Sequence, residues 1–392
     1  MINFDFYAPT YYSFGKGAEK NTGRLVRQFG GSKVLLHYGG GSIKKNGAYD
    51  AVVAALNEEG IAFVELGGVQ PNPRSSLVYE GIELCRKEGI DMILAVGGGS
   101  AIDSAKAIAV GVPYDGDFWD FYEKKSPVEK ALPVGVVLTI AAAGSEASGD
   151  TVITHEATMY KAGAGGDALR PRFAVLNPEY TCTLPLYQTA AGITDIMAHI
   201  CERYFTNTKD VEVTDRLCEG LLKAMIAQSP IVMADPADYQ ARANIMWGGM
   251  VAHNNICGVG RQQDWASHHI EHEISALYDV THGAGLAVIF PAWMKYVYKH
   301  DIDRFCQFAV RVWGCDMNFA NPEVTALEGI ARFEGFLKNI LGMPTSLKEL
   351  NVPTEAIDEM VEHRFKYGAP TDGNFVVLGP EDVRAIYHLA NQ

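Results

Sequence analysis

Short apolar runs, most of which end in glycine, alternate with helical patterns through the first half of the chain. The runs occupy residues 33–38, 62–66, 91–96 and 134–139. Between them apolar residues recur with the helical period, for example over 48–59. Strands that alternate with helices predict a parallel sheet covered on both faces, with ligand sites at the carboxyl ends of the strands. The glycines lie at that edge of the predicted sheet.

The pattern changes after residue 179, where strand signals fade and long helical segments follow. These segments span 188–205, 213–227, 237–254, 261–277 and 324–340. The sequence therefore predicts an α/β domain at 1–187 and an all-helical domain at 188–392. Glycines at the strand ends make the first a candidate dinucleotide-binding domain with a Rossmann-like nucleotide site, and histidines concentrated between 199 and 282 make the second a candidate metal-binding and catalytic domain. Aromatic residues among polar ones near the N-terminus are typical of an edge strand, and such a strand fits a homodimer that shares it.

Composition and charge exclude several classes of partner. The chain has 33 Lys and Arg against 47 Asp and Glu, a net charge of −14, and its basic residues are scattered, so nucleic acid is not an expected ligand. No basic region followed by an apolar stretch opens the sequence, and the longest apolar runs are too short to cross a bilayer. Seven cysteines without a C-x-x-C pattern are typical of free thiols. We therefore expect a cytoplasmic chain with no membrane segment.

Two glycine-rich turns predict a nucleotide site. Gly97, Gly98, Gly99 and Ser100 follow a predicted strand and open a helix, so that backbone N–H groups and the helix N-terminus can approach a phosphate. Ser100 and Asp103 have the spacing of a capping box. An ordinary tight turn is the alternative, and the G-x-G-x-x-G fingerprint is absent. The repetition of the turn at 39–42 favours the nucleotide.

The first of these turns indicates which nicotinamide cofactor is bound. Enzymes that prefer NAD commonly place a carboxylate at the end of such a strand, where it binds the ribose 2′-hydroxyl and repels a 2′-phosphate. This turn has no carboxylate, and its candidate cofactor contacts are small or basic: Gly39, Gly40, Gly41, Ser42 and Lys44. The sequence therefore predicts NADP(H) in preference to NAD(H). The alternative is that Lys44 and its neighbour Lys45 are merely solvated.

Histidines and one aspartate predict a metal centre. Asp195 and His199 are four residues apart in an apolar helical stretch, so both project from one face. His268 and His272 have the same spacing in a later segment, and His282 precedes a Gly-x-Gly sequence. Carboxylate and imidazole ligands supplied by helices suit Fe²⁺ or Zn²⁺.

Spacing alone leaves alternatives open. A lone buried histidine is more often a hydrogen-bonded core residue than a ligand, and the spacing does not decide which of His268, His269 and His272 binds the metal. His269 with Glu273 is typical of a surface pair. Five other histidines are expected to be solvated or local, and they are His37, His155, His300, His363 and His388.

Five motifs in the same order resemble the iron-containing (group III) alcohol dehydrogenases. They are G-G-x-x-x-N-P at 67–73, G-G-G-S-x-x-D-x-A-K at 97–106, L-N-P at 176–178, G-x-x-D-x-x-x-H at 192–199, and H-x-x-x-H followed by H-G-x-G from 268. The first glycine turn and the Gln263–His268 run are most similar to the NADPH-dependent butanol dehydrogenase and aldehyde reductase branch. The resemblance implies a fold like that of dehydroquinate synthase.

The resemblance also implies roles for individual residues. It implies that the metal ligands are Asp195, His199, His268 and His282. It implies that His272 lies near the nicotinamide and substrate without ligating, and imidazole chemistry makes this residue the candidate proton relay. The implied cofactor contacts are Asn72, Asp103, Thr139 and Lys161, beside Gly98, Gly99 and Ser100 of the second turn. Ala143 departs from the family pattern, in which a threonine usually precedes Gly-Ser-Glu.

The expected function is interconversion of primary, butanol-like alcohols and aldehydes by hydride transfer with NADP(H) at Fe²⁺ or Zn²⁺. One alternative is a polyol dehydrogenase of the glycerol type. Another is a lyase like dehydroquinate synthase, although the stretch 189–290 lacks the cluster of Lys and Arg that would bind a substrate phosphate. A third is a non-catalytic sensor that binds nucleotide or metal without turnover.

Overall fold

The computed structural model describes residues 1–391 and divides into two units. The α/β unit comprises Tyr7–Leu184 and Pro236–Asn254, and the helical unit comprises Met1–Phe6, Pro185–Asp235 and the chain from Asn255 onward. A division at 187/188 would place 1–6 in the α/β unit and 236–254 in the helical unit. In the structure, 1–6 groups with the helical unit and 236–254 with the α/β unit. The boundary at 187/188 itself stays a prediction.

The α/β unit is built on a parallel sheet. Its strands are β1 (Tyr11–Phe14), β2 (Lys33–Tyr38), β3 (Ala62–Leu66), β4 (Met92–Gly97), β5 (Val134–Leu138) and β8 (Phe173–Leu176), in the order β1-β8-β5-β4-β2-β3. An antiparallel hairpin of β6 (Asp150–His155) and β7 (Tyr160–Gly165), which the sequence patterns do not predict, stands apart. The helices of this unit are α1 (Thr22–Gln28), α2 (Ser42–Lys45), α3 (Ala48–Glu58), α4 (Ser75–Glu88), α5 (Gly99–Gly111) and α8 (Tyr239–His253). The predicted α/β fold is confirmed.

Side-chain alternation along the strands explains why both faces of the sheet are buried. Leu35 belongs to one apolar cluster, whereas its neighbours Val34 and Leu36 belong to another. Ile93 and Met92 on β4 divide in the same way. Because successive side chains of a strand point to opposite faces, a run without polar residues requires cover on both sides.

One histidine that was expected to be solvated or to interact locally is instead fully buried, with a partner distant in the chain. His37 on β2 is 0% exposed; its Nδ1–H donates to the Leu66 carbonyl at 2.8 Å, and its Nε2 accepts from the Ser104 hydroxyl at 2.8 Å. Burial lowers the pKa of His37 to about 4. The sequence prediction was wrong because the position lies inside the sheet, where the imidazole joins β2, β3 and α5.

This burial predicts a pH-dependent stability. The unfolded chain protonates His37 near its ordinary pKa of 6.5 while the folded chain does not, so stability is lost as the pH falls from 6.5 towards 4, by up to about 3 kcal/mol. Urea unfolding of His37→Gln should show a pH slope between pH 6 and 5 that is shallower by about 1.4 kcal/mol per pH unit. His388→Gln, at an exposed site, is the control and should keep the wild-type slope. Equal slopes for wild type and His37→Gln would contradict the assignment.

The helical unit carries long helices around one apolar helix. These are α6 (Leu186–Tyr204), α7 (Glu212–Ala234), α9 (Ala266–Tyr278), α10 (His282–Val297), α11 (Ile302–Arg311), α12 (Pro322–Asn339), α13 (Ile357–Tyr367) and α14 (Pro380–Leu389). Nearly all residues of α10 are buried, and it packs against α6, α9, α12 and α14. A helix that is apolar on all sides belongs in the centre of a unit. Its first residue, His282, lies beside α6 and α9.

Among residues 1–391, one helix, α7, has the length and hydropathy of a membrane span, which by itself is weak evidence. The helix carries two buried acidic side chains. Asp215 binds Arg304 at 2.7 Å, and Glu219 binds Arg311 at 3.3 Å. These ion pairs join α7 to α11 within the helical unit.

Candidate active site

Four predicted metal ligands converge in the helical unit. Asp195 and His199 lie on α6, His268 lies on α9, and His282 begins α10. The Nε2 atoms of the three histidines stand 3.8, 3.9 and 3.9 Å from Asp195 Oδ1, in the order His199, His268, His282. The first three side chains are about 6% exposed, and His282 is 24% exposed. The tertiary fold thus gathers one carboxylate and three imidazoles at a nearly buried point.

The donor atoms have the spacing and chemistry that a divalent cation needs. Two ligands about 2.1 Å from one tetrahedral ion stand roughly 3.4 Å apart, slightly closer than the distances seen here. His268 Nε2 is buried and has no hydrogen-bond partner within residues 1–391. Burial holds the pKa of His268 well below its usual range, which keeps the imidazole neutral and able to bind a metal. The residues therefore fit Fe²⁺ or Zn²⁺.

Two buried carboxylates orient the histidines. Glu202 accepts a hydrogen bond from His268 Nδ1 at 2.8 Å, which leaves Nε2 as the ring atom that faces Asp195. Glu271 accepts from His282 Nδ1 and from the Ser275 hydroxyl. Burial raises the pKa of Glu202 to about 7, whereas the N–H donors of its neighbours lower it. Such partners of metal-binding histidines fix the tautomer and the ring orientation.

Neither carboxylate is among the residues that the sequence singled out, although each carries a helical signal. Glu202 lies seven residues after Asp195 and three after His199 on α6, on the same face. Glu271 follows His268 at i+3 on α9. A search for acidic residues three positions after His199 and three after His268 would have identified both.

The glycines after His282 allow α10 to approach its neighbours. A Cβ at Gly283 would lie 2.0 Å from the Ala191 carbonyl oxygen of α6. A Cβ at Gly285 would lie 2.3 Å from Glu271 Oε1 of α9. The H-G-x-G sequence is therefore a packing requirement that brings His282 beside the other candidate ligands.

The structure separates the three histidines that spacing left equivalent. His268 shares a cluster with Asp195 and His282, while His272 has donor atoms within 4.8 Å of Glu271 and His282. His269 turns away and bonds Asp372 Oδ1 at 3.0 Å. The predicted pair of His269 with Glu273 is wrong. Glu273 bonds His363 instead, because α13 packs against this side of α9, and His363 is accordingly not solvated.

The predicted nucleotide residues lie in the α/β unit, mostly at one edge of its sheet. The carboxyl ends of β2, β4 and β5 are adjacent, and the two glycine turns and Thr139 follow these ends. The Thr139 N–H donates to the Gly97 carbonyl at 2.9 Å. A Cβ at Gly98 would lie 2.9 Å from Ile140, whereas Gly40 and Gly41 face open space. The first turn therefore presents open backbone at the edge where ligands of such sheets bind, whereas the second turn needs glycine at position 98 for its close approach to Ile140.

Two further predicted contacts form a buried pair. Lys161 Nζ donates to Asn72 Oδ1 at 2.9 Å, and Asn72 adopts the left-handed conformation with φ 51.

On α2, Ser42 and Lys44 are exposed, and the Lys44 ammonium lies 4.7 Å from the centre of the Tyr49 ring. The Lys44 ammonium therefore makes a cation–π contact with Tyr49 and is not surrounded by water alone.

Asp103 lies in the α5 helix without capping it. The helix begins after Gly98, which has no side-chain cap, so the predicted capping box of Ser100 and Asp103 is wrong. Asp103 instead accepts from the Ser145 hydroxyl at 2.6 Å and from the Val152 N–H at 3.1 Å. These distant partners hold the 145–152 segment to α5.

Beside Asp103, Lys106 is completely buried, and the sequence patterns gave it no separate role. Its Nζ donates to the carbonyls of Ser145, Ser148 and Asp150 at 2.6, 2.9 and 2.8 Å. Burial lowers the pKa of Lys106 to about 8. Lys106 therefore fixes the segment that follows β5. Its position as the last residue of the G-G-G-S-x-x-D-x-A-K motif is the sequence feature that could have identified this role.

Comparison with known proteins agrees with this geometry. The sequence model of iron-containing alcohol dehydrogenases matches residues 9–178, and that of the C-terminal region of the Fe-containing alcohol dehydrogenase family matches 189–391. NADH-dependent butanol dehydrogenase A of Clostridium acetobutylicum is 43% identical over 388 residues, with 99% of each chain covered. NADPH-dependent aldehyde reductase YqhD of Escherichia coli is 35% identical over 396 residues, with both chains covered completely.

A solved structure extends the likeness to the fold. The crystal structure of NADH-dependent butanol dehydrogenase A from Thermotoga maritima superposes with a TM-score of 0.97 at 43% identity, covering 100% of this chain and 99% of that one. The resemblance to butanol dehydrogenases and aldehyde reductases is confirmed. The chain belongs to the iron-containing alcohol dehydrogenase family, nicotinamide-dependent oxidoreductases that interconvert alcohols and aldehydes.

Proposed function

We propose that this protein interconverts butanol-like primary alcohols and their aldehydes with NADP(H), using Fe²⁺ or Zn²⁺ held by Asp195, His199, His268 and His282. The observation that carries the proposal is the arrangement of three imidazole Nε2 atoms 3.8 to 3.9 Å from one carboxylate oxygen. Relatives similar over the full length include butanol dehydrogenases and an aldehyde reductase.

The metal supplies Lewis acidity that polarises a carbonyl or lowers the pKa of an alcohol. Glu202 and Glu271 keep His268 and His282 in the tautomer that presents Nε2. His272, one helical turn after His268, is the proposed proton relay, since neutral imidazole can accept the alcohol proton and return it. Its ring centre is 5.6 Å from that of His282, which supports a position beside the ligands.

The cofactor preference rests on the first glycine turn. Gly40 and Gly41 face open space, the turn has no carboxylate, and Lys44 is exposed nearby, which favours a ribose 2′-phosphate. Similar relatives carry names with either cofactor: the Clostridium butanol dehydrogenase is called NADH-dependent and the Escherichia coli aldehyde reductase NADPH-dependent. We propose NADP(H) on the charge and shape of this turn.

Butyraldehyde reduction by the metal-loaded protein tests the whole proposal. NADPH oxidation should depend on butyraldehyde, stop after the metal is chelated and return when Fe²⁺ or Zn²⁺ is restored. The same assay with glycerol or another polyol in the oxidative direction examines the nearest alternative activity. Cofactor binding without aldehyde-dependent turnover would contradict the proposal and favour a non-catalytic sensor.

We also propose a cytoplasmic homodimer. The outer edge of β1 pairs with no strand in residues 1–391, and the exposed large apolar side chains nearby include Tyr7, Tyr11 and Phe14. All seven cysteines are free, which suits a reducing compartment. Light scattering should give twice the chain mass of 42.7 kDa, and a monomer at micromolar concentration would contradict the dimer.

Replacing the carboxylate behind His282 should weaken metal binding. Glu271→Gln removes the charged acceptor of His282 Nδ1–H, so we expect the affinity for Zn²⁺ to fall by about 10- to 100-fold, measured by chelator competition. Glu273→Gln is a matched control two residues along α9, because Glu273 is also buried and also bonds a histidine, His363, outside the cluster. Equal effects of the two substitutions would contradict the role of Glu271.

A further inference from the structure

Trp265 adopts a backbone conformation that large residues rarely use. Its φ is 75 and its ψ is 1, the left-handed region in which glycine carries no steric penalty. The residue directly precedes α9 and lies three positions before His268. Strain of this kind persists where the surrounding structure enforces it, and it concentrates at functional sites.

The backbone of Trp265 serves the metal cluster, but glycine would serve it equally. The Trp265 N–H donates to Glu202 Oε2 at 2.8 Å, while Oε1 of the same carboxylate accepts from His268 Nδ1. A glycine at this position keeps that N–H and removes the strain. The hydrogen bond therefore explains the conformation and leaves the indole side chain unexplained.

The indole ring lies against two of the proposed ligands. Its centre is 5.7 Å from the His199 ring and 5.1 Å from the His268 ring, at interplanar angles of 64° and 70°. The two imidazoles are themselves stacked nearly parallel, with centres 4.7 Å apart. Edge-on packing of this kind restricts the rotation of both imidazoles.

Further contacts hold the indole in place. The Arg203 guanidinium lies 4.6 Å from the ring centre, and the indole N–H donates to Gln263 Oε1 at 3.2 Å. Gln263 in turn donates to Asn255 Oδ1 at 2.8 Å. The ring is thus held by contacts other than those with the histidines, as a support for other groups must be.

We propose that Trp265 is a positioning residue of the metal site, whose indole ring holds the His199 and His268 imidazoles at the separation from Asp195 that metal binding requires. The inference rests on the proposed function, since it takes His199 and His268 as ligands. This role of the indole explains why Trp265 occupies a left-handed position at which glycine would carry no strain.

Metal binding by purified, metal-stripped protein tests the proposal separately from activity. In chelator competition with Zn²⁺, Trp265→Gly should bind at least about tenfold more weakly than wild type, and Trp265→Phe, which keeps an aromatic ring, should stay within about threefold. The visible absorption of Co²⁺-loaded protein should shift in Trp265→Gly and stay unchanged in Trp265→Phe. Asp279→Gly, at the left-handed C-terminal end of α9, is the matched backbone control and should bind as wild type does.

Each outcome decides the matter. Wild-type affinity and an unaltered Co²⁺ spectrum in Trp265→Gly would overturn the inference while leaving the proposed ligands intact. Should Trp265→Gly fail to fold, Trp265→Leu takes its place. We expect its affinity for Zn²⁺ to fall by at least about threefold, and a smaller loss would overturn the inference. Absence of stoichiometric metal binding by wild type would overturn the proposed function, and this inference with it.

Discussion

His268→Ala should abolish alcohol and aldehyde turnover and reduce the metal content of the purified protein together. The substitution removes one of the three proposed imidazole ligands and leaves the Glu202 carboxylate without the ring that it orients. Since Lewis-acid stabilisation is worth several kcal/mol, we expect kcat/KM to fall by at least about 10³-fold. Steady-state kinetics with butyraldehyde and elemental analysis of the same sample measure both effects.

Two neighbours on α9 serve as controls for this loss. His272→Ala should slow turnover by about 10²-fold or more while metal is retained, because we propose that this residue moves a proton. His269→Ala should keep both metal and most activity, since His269 bonds Asp372 away from the cluster. Full activity after loss of His268 would contradict the ligand set.

Gly40→Asp should shift the proposed cofactor preference from NADPH towards NADH. The position is exposed, and an added Cβ meets nothing within 4 Å, so a carboxylate is accommodated without distorting the turn. A negative charge at the end of β2 repels a 2′-phosphate and accepts a hydrogen bond from a 2′-hydroxyl. We expect the ratio of kcat/KM for NADPH over that for NADH to fall by about 100-fold, a change of roughly 2.7 kcal/mol.

The uncharged substitution separates charge from size. Gly40→Asn has nearly the same volume and should leave most of the NADPH preference, whereas a shift equal to that of Gly40→Asp would attribute the effect to bulk. Wild-type protein that already prefers NADH would contradict the argument from the first glycine turn.

The parallel sheet and most helices could be predicted because their signals are local. The alternation of Val34, Leu35 and Leu36 between two apolar clusters is a property of one strand, and a run without polar residues requires cover on both faces. Helix ends were less predictable. The start of α9 at Ala266, five residues after the predicted start, depends on a left-handed Trp265 that no periodicity reveals.

Part of the candidate site was also visible in the sequence. The four-residue spacing of Asp195 with His199 places both on one helix face whatever surrounds them. That two such helices meet, with His282 beside them, is decided by contacts distant in the chain. The role of Glu202 and Glu271 as hydrogen-bond acceptors for His268 and His282 can be recognised only once those contacts are known.

By itself, the sequence determined the alternation of β2 to β5 with helices, the glycine turns after β2 and β4, and the helix faces that carry the candidate ligands, because each of these follows from short-range periodicity and backbone stereochemistry. The tertiary structure alone decided that His268 faces Asp195 while the adjacent His269 bonds Asp372. It also decided that His37 is buried. These outcomes depend on which distant groups pack against a given side chain, and local spacing carries no information about that.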